Sequence, residues 1–118
     1  MKELPKDVEA QITFLPTNLG GRKGYCVSGY SPQFHYDGHD WVAIHTYPDV
    51  ERVNPGDTVK AYLAFLRPDL LAGKLIEGSA FEIHEGNRVV AYGRVTRVLE
   101  LQSAERIQNA GKTPLLGA

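Results

Sequence analysis

Cysteine, tryptophan and methionine each occur once in 118 residues. A lone Cys26 leaves no internal disulfide to staple the fold, and it favours a reducing, cytosolic setting. An excess of one charge is also lacking. Thirteen basic residues stand against fourteen acidic ones, for a formal net charge of -1. That balance excludes a strong global attraction to nucleic acid or to an anionic membrane and leaves only local patches. No apolar run approaches the ~20 residues of a membrane-spanning helix. The N-terminal stretch MKELPKDVEAQ lacks the apolar centre of a signal peptide.

Turn formers are abundant: 12 glycines and 7 prolines punctuate a chain that is 42% hydrophobic. Between them the apolar residues alternate with period two, the mark of half-buried strands. Val8, Ala10, Ile12 and Phe14 share one side of an expected strand from Asp7 to Leu15. Further strands are expected at Gln33 to Tyr36, Asp40 to Thr46, Thr58 to Leu66, Ser79 to Glu85 and Arg88 to Leu99. Asp37-Gly38 and Gly86-Asn87 read as two-residue hairpin turns, and Asn54-Pro55-Gly56-Asp57 as a longer turn. Gly93 inside the last strand suggests a bend or a close backbone approach. The run Gly29-Tyr30-Ser31-Pro32-Gln33-Phe34 reads as a corner, with glycine for the bend, proline for rigidity, two aromatics for packing and Gln33 to bond stray backbone groups. Six short strands predict an all-β fold, an antiparallel sandwich or a closed barrel. Helix is hinted only over Leu70 to Ile76 and in the tail, where Ser103 would cap a short helix through Gln108 and Gly111 would stop it, before a frayed end from Lys112 to Ala118. The expected organisation is therefore one domain over residues 1–99 and a tail over 100–118.

No catalytic constellation stands out. His35 and His39 would share a face on a helix, but their neighbourhood reads as strand and turn, so the spacing does not help there, and with His45 and His84 they read as ordinary turn and surface histidines with no metal expected. Cys26 reads as a small buried hydrophobe. Ser28, Ser31 and Ser79 lack the Gly-x-Ser-x-Gly elbow of a hydrolase. In Gly20-Gly21-Arg22-Lys23-Gly24 the lysine precedes the last glycine and strands follow, so the segment reads as a loop with two solvated cations rather than a phosphate loop. Tyr36 and Trp41 read as core residues, Arg94 and Arg97 as solvent-facing.

A resemblance then adds to this. Gly20-Gly21-Arg22, Gly29-Tyr30-x-Pro32-Gln33-Phe34, Pro55-Gly56-Asp57, Pro68 and the run from Phe81 to Gly93 occur in the order found in the C-terminal barrel, domain three, of bacterial translation elongation factor Tu. The likeness spans Asp7 to Leu99. It implies a six-stranded antiparallel closed β-barrel that packs on a second barrel and a GTPase domain and touches the T arm of aminoacyl-tRNA. No Walker motif is present, so no GTP chemistry and no cofactor are expected.

By the same resemblance, Arg22, Gln33, Arg67, Glu85 and Gly86 match positions of the tRNA-facing surface, and Lys23 and Arg88 flank them. Three positions depart from the pattern: His84 stands where the family has a basic residue, Val42 where it has a threonine, and Ser31 where it has an arginine. The expected function is a non-catalytic binding module that meets a protein partner or a second copy of itself. The alternative is binding of tRNA or another structured RNA through those seven residues.

Overall fold

The computed structural model describes residues 3–101. Six strands make up the architecture: β1 (Val8–Phe14), β2 (Gln33–Tyr36), β3 (His39–Thr46), β4 (Thr58–Phe65), β5 (Ala80–Glu85) and β6 (Arg88–Val98). Each matches its expected span to within one residue at either end. They close into an antiparallel barrel in the order β1-β4-β3-β2-β5-β6, with β6 returning to β1. Closure leaves no free sheet edge for pairing with another chain.

Alternation decides which side chains fill the barrel. Val8, Ala10, Ile12 and Phe14 all point inward and are buried, as are Ala61, Leu63 and Phe65 of β4. Phe34 lies at the centre, stacked on Phe81 at 4.4 Å and meeting Phe65 edge-on at 4.9 Å. Gly93 makes room for this cluster, because a Cβ there would stand 2.3 Å from the Phe81 ring. The close approach anticipated at that glycine is thus to a neighbouring side chain. Tyr36 and Trp41 pack against the core from its margin.

The turns follow their chemistry. Asp37 and Gly38 both take left-handed φ, 52° and 76°, so their two-residue turn matches the twist of the β2–β3 hairpin. At the other hairpin only Gly86 of the pair is left-handed, at 64°. Gly29 turns the corner at φ 104°, and its amide bonds the His45 carbonyl while the Tyr30 carbonyl accepts from the His45 amide.

Two expectations need correction. Leu70 to Ile76 forms no regular helix: a three-residue 3-10 turn, Pro68–Leu70, gives way to irregular turns. Gly73, with φ 82°, breaks the helical path, and the segment is held by burial of Leu71 and Leu75 instead. Gln33 Oε1 accepts no stray backbone amide, being buried without a hydrogen-bond partner. The helix expected at Ser103 to Gln108, and the frayed end after it, lie outside the described residues.

Both ends of the barrel meet at Asp7. Its buried carboxylate accepts the Phe65 amide at 2.8 Å, and its carbonyl accepts the amides of Leu99 and Leu101 at 2.9 and 3.2 Å. Burial pushes the Asp7 carboxyl above its ordinary range, partly offset by the Phe65 bond. Leu101 is buried, so the packed core reaches past the last strand. No helix among the described residues is long and apolar enough to cross a membrane.

Candidate functional site

The loop after β1 and the β5–β6 hairpin come together at one end of the barrel. Gly21 lies against the backbone of Leu15 and Pro16 and donates its amide to the Pro16 carbonyl at 2.9 Å. That contact sets where Arg22 leaves the loop. Its guanidinium covers the Tyr30 ring, 4.6 Å from the centroid, and forms an ion pair with Glu85 Oε2. It also donates to the Tyr25 carbonyl at 3.3 Å. The Tyr30 hydroxyl donates to the same Glu85 oxygen, and Arg88 Nη2 lies 3.9 Å from the other. Burial, then the Glu85 carboxylate, pushes the Tyr30 phenol well above its ordinary range, so it stays a donor.

Arg22 is therefore not a solvated loop cation, as the sequence suggested. It joins residues 63 positions apart. Lys23, beside it, is exposed as expected. Glu85→Ala is expected to cost about 2 kcal/mol, because the half-buried guanidinium and the phenol then lose a shared acceptor. Tyr30→Phe in that background should cost little more, since the two act as one unit. Urea unfolding of the single and double variants checks both statements.

The other expected RNA contacts are dispersed. Gln33 opens β2, opposite Val42 on one side and His84 on the other. Arg67 sits past the end of β4, exposed, in a two-pronged pair with Asp69 at 3.1 and 2.8 Å.

Inside the same end of the barrel is a buried polar group that had been expected at the surface. His45, read from the sequence as a turn or surface residue, is fully buried because it shares the inward face of β3 with Ala43. Its Nδ1 lies 2.9 Å from the Tyr47 hydroxyl, which also lies 3.5 Å from Cys26 Sγ. Burial lowers the His45 pKa to about 3, so the ring is neutral. Burial also pushes up the Cys26 thiol, which suits a structural cysteine and not a nucleophile.

On the outer wall, β2, β3 and β5 bring more histidines together. His35 Nδ1 lies 2.8 Å from Asp40 Oδ1, and His84 Nε2 lies 2.8 Å from Glu82 Oε1. The two rings stack at 4.4 Å and 12°. His39 stays apart, edge-on to Trp41 at 6.3 Å.

Around the β3 and β4 ends the surface turns apolar. Trp41, Val42, Phe65, Leu66 and Leu71 line a cleft bounded by Asp40 and Arg67. Leu66 is 67% exposed, Val42 42% and Leu70 40%.

The closed barrel and its sequence match one family model, described as the elongation factor Tu C-terminal domain, over residues 3–99. This chain belongs to that family. Elongation factor Tu C-terminal domains are non-catalytic β-barrels, and the six-stranded closed barrel seen here agrees with that fold. Membership places the chain among translation-factor barrel modules. Tyr30, Asp40 and Glu82 are the polar participants that sequence reasoning passed over. Alternation along β5 sets Glu82 and His84 opposite Phe81 and Ile83, and the same count along β3 would have put Asp40 on the outer face.

Proposed function

We propose that the chain is a non-catalytic binding module whose cleft at the β3 and β4 ends takes an apolar side chain from a protein partner. The exposure of Leu66 carries this reading. A leucine two-thirds in water, flanked by Val42 over a floor of Trp41, Phe65 and Leu71, is the kind of patch that binding covers. Asp40 and Arg67 at its rim supply both charge signs for orienting polar groups. Fully burying such a leucine contributes about 1.5–3 kcal/mol. Leu66→Asp with Val42→Ser should therefore weaken association more than about tenfold. Because Leu66 is mostly exposed and Val42 partly so, the double variant should lose no more than about 1–2 kcal/mol of stability and stay folded. Light scattering reports self-association, and pull-down with wild type and variant side by side reports a foreign partner. A strictly monomeric protein that captures nothing, or capture indifferent to the two substitutions, overturns the reading.

Binding of tRNA or another structured RNA is the second reading, supported by the gathering of Arg22, Lys23, Glu85, Gly86 and Arg88 at one end. The electrostatics favour it less. Glu85 engages both Arg22 and Arg88, and Asp69 engages Arg67, so Lys23 is the one cation of the set with no carboxylate partner among the described residues. A gel shift with tRNA at low salt, repeated with Arg22→Ala and Arg67→Ala, decides it. Salt-sensitive binding weakened by both substitutions would favour RNA.

A further inference from the structure

The stacked imidazoles on the outer wall have two carboxylates beside them, and we propose that His35, His84 and Asp40 form a binding site for a zinc-class divalent cation. One ligand atom from each of the three lies within 4.8 Å of the others. Donor atoms around a tetrahedral zinc, bound at about 2.0–2.2 Å, stand roughly 3.3 Å apart. His35 Nδ1 and Asp40 Oδ1, at 2.8 Å, already approach that spacing, and binding requires one of the two stacked rings to turn so that both nitrogens face the ion.

The scaffold is stiff where it matters. His35 is paired directly with Asp40 across β2 and β3, and with Glu82 across β2 and β5. His84 follows two residues later on the same face of β5, and its side chain is only 14% exposed. Glu82, 2.8 Å from His84 Nε2, is placed to orient that ring from behind, as carboxylates do for metal-bound histidines. Such a contact leaves the other ring nitrogen, Nδ1, for the metal. Asp40 and Glu82 also give the patch the negative charge that attracts a dication.

Donor chemistry sets the class. Two imidazole nitrogens with a carboxylate oxygen suit zinc, nickel or copper, whereas magnesium and calcium require a mostly oxygen shell. Three protein ligands leave a tetrahedral ion one open position for water, so binding should be weaker and faster to exchange than at a closed four-ligand site.

The test is titration of the full chain, carrying no histidine tag, with zinc against a chromophoric competitor. One equivalent should bind. His84→Ala or His35→Ala should weaken binding at least about tenfold, Asp40→Asn and Glu82→Gln by several-fold, and His39→Ala should leave it unchanged. Nuclear magnetic resonance of the wild type gives a readout independent of any variant's folding: the His35 and His84 ring signals should move together with zinc while that of His39 stays. Copper as a probe should show two-nitrogen coupling in its paramagnetic resonance spectrum. Absence of saturable binding, binding that survives loss of both His35 and His84, or ring shifts centred on His39 would each overturn the assignment.

Discussion

Gly21→Ala should destabilise the barrel by more than about 3 kcal/mol, beyond the usual range for overpacking. The reason is the kind of atom in the way. A Cβ on Gly21 would stand 1.9 Å from the Leu15 carbonyl oxygen and 2.8 Å from that of Pro16. Both are backbone atoms, and the Gly21 amide is itself fixed on the Pro16 carbonyl. No rotamer change relieves the clash, so the loop must leave the wall, carrying Arg22 away from Glu85. A native state worth only about 5–15 kcal/mol loses a large fraction of its stability by this. For a domain of this size the melting temperature should fall by roughly 15 °C or more. Gly24 supplies the control, since nothing lies within 4 Å of an added Cβ there. Gly24→Ala should be close to neutral. Equal effects at the two positions, in urea unfolding followed by Trp41 fluorescence, would show that the Leu15 backbone yields freely.

The second large effect is acid sensitivity through His45. Its folded pKa, about 3, lies below the ordinary value of 6.5. Between those two values the unfolded chain binds a proton that the folded chain refuses. Stability from the neutral ring is thus complete above pH 6.5 and drains away as the pH falls toward 3, at about 1.4 kcal/mol per unit. By pH 4.5 the loss should reach roughly 2–3 kcal/mol. Asp7 opposes this. Its carboxyl is raised by burial, so the folded state holds that proton more tightly and gains as the pH drops through the carboxylate range. The comparison must therefore be made against His45→Phe, which keeps Asp7 and removes the imidazole. Between pH 7 and pH 4.5 the wild type should lose roughly 2–3 kcal/mol more than this variant, whatever the variant's own stability at neutral pH. Parallel pH profiles would mean that the folded barrel takes up the His45 proton as readily as the unfolded chain.

The contrast between strands and sites shows where a sequence of this kind is informative. Strand spans depend on local alternation and on turn residues adjacent in the chain, so β1 and the Asp37-Gly38 hairpin could be read directly. The sites depend on which strand lies beside which. Pairing of β2 with β5 and of β1 with β4 is set by barrel closure, and no feature near His35 announces that His84 will stack on it. The Arg22 and Glu85 pair was hidden for the same reason, and a glycine-rich loop containing a cation looks solvated until the opposing hairpin is in place. His45 was the readable exception. Its parity with Ala43 put it inside, but the general habit of histidine at surfaces outweighed the pattern. Gly93 was legible as a constraint, though Phe81 as its cause was not, because the two share no neighbourhood in the chain.

The first and last strands of the barrel are also neighbours. During synthesis the chain can make its β2–β3 hairpin early, but the ring stays open until β6 has emerged and found β1. Up to that moment both rims of the sheet present bare amides and carbonyls to whatever lies nearby. The hazardous interval for this molecule is thus its last stage of assembly, and a nascent chain halted before β6 would be the form most prone to pair with its neighbours.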